Sequence, residues 1–377
     1  MNTKKVIGAI LILITIFSCT QTEQKKYIPL VNKNATEKTQ KLYNFIQEIS
    51  GKYTLAGQHE YCGKGSVYHD QLEQLTGKKA IIWGSDFSWY VLGDSAKNFQ
   101  HCGPLNLTAP ATPFDTLDIT MEEARDLLIA EVEARYAEGH IITLMWHGCF
   151  PTVGDSCDGA SIWAMENRHT PEMWNELVTK GTPLNDAWKV GADKIAMYLK
   201  QLQDKNIPVL WRPYHEMNGV WFWWCNQKGE QGFKRLWIMM YKYFTEVHQL
   251  NNLIWVWNTN APRDIPNDEA FQYNDFYPGD EYVDILAADV YRNDYKQSHH
   301  DDLMALAKGK PIVLGEVAEI PDAEILKSQP NWAWYMPWGW LHFTANDEAL
   351  IKEMMNHQKV LTLDEITVDT LGNYLVN

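Results

Sequence analysis

Short apolar runs recur along the chain, each bounded by turn-forming residues, and they read in order as Tyr53–Gly57, Ala80–Gly84, Ile141–Trp146, Pro208–Trp211, Leu253–Trp257, Val283–Ala288, Pro311–Gly315 and Trp332–Trp338. Near-continuous hydrophobic runs of this length fit strands covered on both faces, as in parallel sheets. Helical patterns lie between several of them. Thr120 to Glu138 opens with the capping box Thr120-Met121-Glu122-Glu123 and closes before Gly139, a helix-ending glycine. Asn185 to Lys205, Gly232 to Leu250 and Asn346 to His357 also carry apolar residues at helical spacing. Alternating strands and helices predict a parallel α/β sheet, and eight strands predict closure into a (β/α)8 TIM barrel with long βα loops. An open doubly wound sheet would share the local pattern, but no glycine-rich dinucleotide fingerprint follows the first strand. The stretches Asp86 to Asp118 and Cys149 to Pro183 each follow a strand, which places them on the rim where substrate clefts are built.

The N-terminus departs from this pattern. Lys4-Lys5 precedes an apolar stretch from Val6 to Phe17, shorter than the roughly 20 residues of a membrane-spanning helix, which reads as an export signal. Thr15-Ile16-Phe17-Ser18-Cys19 sets a small residue before a cysteine and resembles a bacterial lipoprotein cleavage box, making Cys19 the expected lipidation site. The polar stretch Thr20 to Lys33 fits a tether. The expected organisation is a signal peptide over 1–18, a tether over 19–38 and one catalytic barrel over 39–377. The protein would then be exported and lipid-anchored to a bacterial membrane, facing the periplasm or the cell surface. That anchor would be its only membrane contact.

The formal charge of −15 becomes −17 once Lys4 and Lys5 leave with the signal, a surface that repels nucleic acid and anionic lipid and suits a neutral substrate. Five cysteines remain after Cys19, and Cys149 with Cys157 either close a small loop over the mouth or stay as free thiols. Their spacing is no zinc signature. The run His299-His300-Asp301-Asp302 reads as a solvated first turn of a helix rather than as a metal site. A monomer needing no cofactor and no metal is expected.

Glu216 ends the fourth run and Glu316 the seventh. Just past the C-terminal end of a barrel strand, a carboxylate points into the mouth, where catalytic groups sit. Two such carboxylates, with Trp211, Trp221, Trp223 and Trp224 around the first, are the equipment of glycosidic bond cleavage. A retaining mechanism needs Glu316 ionised as nucleophile and Glu216 protonated as acid, a difference their surroundings must supply. Arg212 is placed to hold carboxylates or loop carbonyls. Four tryptophans within 211–224 and four within 332–340 lead us to expect at least two facing solvent as sugar platforms.

The string from Trp211 to Trp224, WRPYHEMNGVWFWW, resembles the segment around the acid/base glutamate of glycoside hydrolase family 26, the β-mannanases, and Leu314-Gly315-Glu316 resembles that family's nucleophile strand. The resemblance extends over nearly all of the chain after the tether. It implies a retaining β-1,4-mannanase acting on mannan, glucomannan or galactomannan, with Glu216 as proton donor and then base and Glu316 as nucleophile. His215 would hold the nucleophile or bind sugar, and His147 would line the subsite of the cleaved sugar. Trp221 would stack on a ring or border the leaving-group side, Tyr291 would hydrogen-bond the nucleophile, and Trp338 would be the platform beneath the sugar. Alternatives on the same fold are an exo-acting mannobiose-releasing enzyme, a β-glucanase or a β-xylanase. A surface glycan-binding lipoprotein without catalysis is a further alternative, against which the retention of both glutamates argues.

Overall fold

The computed structural model describes residues 27–60, 65–91, 98–101, 117–118, 120–154, 162 and 170–377; of 89–91, 98–101 and 117–118 it describes the backbone alone. The signal peptide, Cys19 and Cys157 lie outside the described residues.

Eight parallel strands form the barrel: Thr54–His59, Ile82–Asp86, Ile141–Trp146, Val209–Pro213, Leu253–Asn260, Ile285–Val290, Ile312–Val317 and Trp334–Tyr335. Each pairs with its sequence neighbour from the first to the seventh, and the eighth pairs with the first. Between the seventh and eighth, the isolated parallel bridges Ile312↔Trp332 and Val317↔Pro337 complete the cylinder. All eight expected strands are therefore present, and the closed alternative is the correct one.

Alternation along each strand divides the side chains into two layers. Leu55, Ile82, Ile141, Leu210, Ile254, Val256, Ile285, Ala287 and Val313 form one buried apolar cluster that fills the lower barrel. Leu42, Tyr43, Phe45 and Ile46 of the helix Glu37–Ile49 belong to the same cluster and stop the floor. The intervening residues, among them Trp83, Leu144, Trp211, Trp255, Leu286 and Leu314, face outward and pack under the helices. Carried upward, the inward parity turns polar: Asp86, Arg212, Asn258, Asn260 and Asp289 occupy the top layer, all buried.

The helix Met121–Glu138 has the expected capping box from Thr120 and Glu123, and Gly139 ends it in the left-handed conformation at φ 106°. The rim stretch after the second strand holds a small antiparallel sheet, Trp89–Val91, Asn98–His101 and Leu117–Asp118.

Two expectations are corrected. The last residues of the stretch read as a tether are docked: Leu30 is buried, and the Val31 amide donates to Asp284 Oδ1 at 2.8 Å. Among the described residues of that polar stretch, Leu30 is buried, Val31 packs partly against the core, and Asp284 accepts the backbone amide of Val31. The first turn of the helix Gln297–Ala307 is not solvated at its histidines: His299 and His300 are both buried, and His300 packs edge-on to Trp332 at 5.3 Å. Only Asp301 and Asp302 of that run face water, because the amphipathic face places the imidazoles against the barrel wall.

Candidate active site

The fourth strand ends in a tight reversal. Tyr214 and Glu216 both adopt left-handed backbone, φ 46° and 54°, at a cost of about 1–2 kcal/mol each. Hydrogen bonds to the flanking strands hold this conformation, Tyr214 N–H to Trp146 O at 3.2 Å and Glu216 N–H to Asn258 O at 2.7 Å. The reversal turns the Glu216 carboxyl over the mouth. Glu316 reaches the same place by another device. The pairing of the sixth and seventh strands shifts register between Leu314 and Glu316, so Glu316 enters the mouth immediately after inward-facing Gly315. A Cβ on Gly315 would lie 2.0 Å from Asn258 Oδ1 and 2.7 Å from Asp289 Oδ1, so only glycine leaves room for the top layer.

One nitrogen locates the two carboxyls relative to each other. His215 Nε2 lies 3.4 Å from Glu316 Oε1 and 3.9 Å from Glu216 Oε2, so these oxygens are no farther apart than the two distances laid end to end. Tyr291 donates its hydroxyl to Glu316 Oε2 at 2.9 Å, and Arg212 Nη2 stands 3.7 Å from Glu316 Oε1. Glu216 receives Trp221 Nε1–H on Oε2 at 2.7 Å and the Asn260 amide on Oε1. His147 donates or accepts at Nδ1 with Asp86, and its ring meets that of His215 edge-on at 4.3 Å. Trp338 closes the opposite wall, its indole stacked on the His59 ring at 3.8 Å and 15°. Seven of the residues singled out from sequence, Glu216, Glu316, His147, His215, Trp221, Tyr291 and Trp338, therefore share one mouth. Cys19 lies outside the described residues.

The tryptophan expectation is corrected. Trp211, Trp223, Trp224, Trp332 and Trp334 are fully buried, Trp221 and Trp338 nearly so, and only Trp340 is partly exposed. Most of these indoles serve packing, where large aromatic area contributes most. Trp334 points into the barrel interior, and Trp223 and Trp224 wedge against Tyr214 beneath the reversal.

Burial governs the charges. It raises Glu216, against the opposing pull of Asn260, Arg263 and Trp221. It pushes Glu316 up to about 8, with the Glu216 charge adding and Arg212 and Tyr291 opposing. Burial first, and then the charges of Glu316 and Glu216 beside it, hold Asp289 well above the ordinary carboxylate range. Desolvation, with His147 and Arg212 nearby, keeps His215 neutral. Burial alone thus does not separate the two glutamates; their partners do. Glu316 has a guanidinium at 3.7 Å, whereas the cation serving Glu216, Arg263, reaches it through the side chain of Asn260. The guanidinium beside Glu316 favours its ionised form, but burial and the Glu216 charge outweigh it and still hold Glu316 at about 8.

Asp86, Asn258, Asn260 and Asp289 were not singled out from sequence. The signal available was parity: each falls an even number of residues above an apolar inward position on its own strand. His215, Asp289 and Glu316 each bring one potential ligand atom within 4.8 Å of the others, the only such set among the described residues. Cys149 is disulfide-bonded, and its partner lies outside the described residues; Cys225 is a buried thiol whose Sγ donates to Glu216 O at 3.1 Å.

The glycosyl hydrolase family 26 model matches residues 31–99 and 112–365. A mannan endo-1,4-β-mannosidase of Thermothelomyces thermophilus is 30% identical over 357 residues, covering 89% of this chain and 63% of the relative. The chain spans 50% to 63% of the length of the first curated relatives it matches. Among solved structures, a GH26A from a Muricauda species superposes with a TM-score of 0.77 at 41% identity, covering 89% of this chain and 99% of that one. A β-mannanase from a symbiotic protist of the termite Reticulitermes speratus, solved with gluco-manno-oligosaccharide, gives 0.69 at 25% identity, covering 89% and 96%. With a closed (β/α)8 barrel, two rim glutamates and a family match across most of its length, the chain belongs to glycosyl hydrolase family 26.

Proposed function

We propose that this protein is a retaining endo-β-1,4-mannanase that cleaves mannan, glucomannan or galactomannan by double displacement. The observation that carries the reading is the convergence of Glu216 and Glu316 on His215 Nε2, at 3.9 and 3.4 Å, in the barrel mouth. Retaining glycosidases work with carboxyl groups about 5–5.5 Å apart, within the limit those two distances set. Glu316, with Arg212 and Tyr291 on its oxygens, attacks the anomeric carbon while Glu216 gives its proton to the departing glycosidic oxygen. Water then enters, Glu216 takes its proton, and the glycosyl–Glu316 ester is hydrolysed. His215, neutral and within 3.4 Å of Glu316, orients that carboxylate without adding a second positive charge. His147, fixed by Asp86, and Trp338, backed by His59, line the sugar held between the glutamates.

The names borne by relatives favour mannan over other β-glycans. The test is hydrolysis of soluble mannan by the purified protein and its Glu316→Ala variant. Collapse of hydrolysis with binding retained supports the reading, and persistence of hydrolysis removes Glu316 from its role. Proton NMR of the first-formed reducing ends decides stereochemistry: initial β-anomer means retention, initial α-anomer rules it out.

A further inference from the structure

A second arginine organises the acid/base glutamate, and it does so from outside the mouth. Arg263 follows the fifth strand, in a loop closed by the antiparallel bridge Arg263↔Ala270 and tied to the Glu216 segment through Asn218, whose amide donates to Asn260 O at 2.7 Å and Phe271 O at 2.8 Å. Its guanidinium makes three kinds of contact. Nη1 donates to Asn260 Oδ1; Nε and Nη2 donate to Asp268 O and Oδ1 at 2.9 and 2.6 Å; and the Cζ atom sits 4.9 Å from the Trp221 ring centroid.

An arginine carries donors and no acceptor, so the atom of Asn260 that meets it must be the amide oxygen. The amide nitrogen is thereby turned to the other side, where it donates to Glu216 Oε1. Reversed, the amide would set its oxygen against a carboxyl oxygen. On the other oxygen, Trp221 Nε1–H donates to Glu216 Oε2 while the guanidinium lies over the same indole, within the range of a cation–π contact. Both hydrogen bonds that hold the Glu216 carboxyl thus trace back to one side chain.

We propose that Arg263 is a positioning residue for proton transfer, orienting Asn260 and Trp221 so that both donors tighten on Glu216 as its carboxyl gives up the proton. The inference rests on the reading of Glu216 as the acid/base group. Donors aimed at an oxygen where charge develops stabilise the transition state more than the ground state. The other charged or titratable groups facing Glu216 come from different elements: His215 beside it, His147 just after the third strand, Asp289 on the sixth and Tyr291 just after it, and Glu316 on the seventh. None of them bonds Asn260 or Trp221, so a change at Arg263 reaches Glu216 without passing through the nucleophile. Asp268 in turn bridges Arg263 to Arg292, which keeps the guanidinium from swinging toward solvent.

The test compares the wild-type protein with Arg263→Met, Arg263→Lys and Asn260→Ala on two substrates, an unactivated manno-oligosaccharide and a dinitrophenyl mannobioside whose leaving group departs without protonation. The expected result for Arg263→Met is a fall of about tenfold or more in kcat/KM on the oligosaccharide and a change within about twofold on the aryl substrate in its glycosylation step. The basic limb of the pH profile moves to higher pH, because the ionised form of Glu216 loses a cation and a fixed donor. Arg263→Lys restores part of both effects, and Asn260→Ala, which leaves the Arg263–Asp268 pair in place, moves the limb in the same direction. Equal losses on both substrates with an unmoved basic limb overturn the inference and leave Arg263 a loop brace. A wild-type protein inactive on both substrates takes down the hydrolase reading, and this inference with it.

Discussion

Tyr291 gives its hydroxyl proton to Glu316 Oε2 at 2.9 Å, from the residue that directly follows the sixth strand. A hydrogen bond to a charged group contributes about 1.5–3 kcal/mol, and in the proposed mechanism it serves Glu316 as nucleophile while that carboxyl is ionised. Tyr291→Phe is expected to lower kcat/KM on mannan by about tenfold or more, the kinetic equivalent of such a bond, with the melting temperature little changed. Steady-state kinetics beside a thermal melt check this, and an undiminished rate would detach Tyr291 from the nucleophile.

Glu216 and Glu316 share one desolvated mouth, so their protons leave in two steps that belong to the pair. In the proposed mechanism the active form carries one negative charge, on Glu316, with Glu216 protonated, and the second loss removes the acid. Glu216→Gln fixes that position in a neutral form and leaves Glu316 to titrate alone. On a dinitrophenyl glycoside, whose leaving group needs no protonation, the acidic limb of the variant's glycosylation profile should stay close to that of the wild type, with no basic limb. A surviving basic limb would assign that ionisation to another group.

Asp284 underlies the floor of the barrel, where it accepts the amides of Val31 at 2.8 Å and Trp255 at 2.9 Å, and burial raises its pKa from 3.8 to about 6. Because the folded pKa is the higher one, the folded state binds more protons between these two values, and stability falls as pH rises through that window. The loss amounts to about 3 kcal/mol once both states are ionised. Asp284→Asn lacks this contribution, so its melting temperature should vary less between pH 4 and pH 6.5 than that of the wild type. Parallel melting curves across that range would show that Asp284 does not titrate as described.

Lipid attachment at Cys19 is our proposal from the Phe17-Ser18-Cys19 sequence. Expressed in a Gram-negative host, the full chain should fractionate with membranes and incorporate labelled palmitate, and Cys19→Ser should do neither. Label retained by the variant would place the lipid elsewhere or abolish the proposal.

Much of the barrel is legible in the residues because its strands are covered on both sides, which leaves apolar runs no other element of this length would need. Ile141–Trp146 was found to the residue for that reason. The helix after Thr120 was equally plain, since a capping box and a terminal glycine mark both ends. The site was legible only where chemistry and strand end coincide in one short string, as at Glu216. Asn260 and Asp289 escaped notice because their importance depends on neighbours across the barrel, and an inward parity has no meaning until the strands are closed. The tryptophans misled for the opposite reason: their number suggested exposed platforms, but most fill space behind the reversal at Tyr214 and under the wall. The anchoring of Leu30 and Val31 was hidden in a polar stretch, because one buried Leu and one backbone amide leave no periodicity.

The eighth stave contributes only Trp334 and Tyr335 to the ladder, and the Pro337 that follows has no amide proton to give. Its junction with the seventh is stitched by a few isolated bonds, Ala333 to Ile312 at 2.9 Å, Val317 to Met336 at 3.0 Å and Trp338 to Val317 at 2.9 Å. A cylinder parts first along its thinnest joint, so amides of residues 332–338 should exchange with deuterium faster than those of 285–290; slower exchange would deny the joint any weakness. The carboxyls of Glu216 and Glu316 and the indole at Trp338 stand on opposite sides of that joint or beside it. Breathing there would widen the space beside Trp338, and on the proposed function the berth for a polymer, while the Glu216 reversal, pinned to the third and fifth staves, keeps its shape.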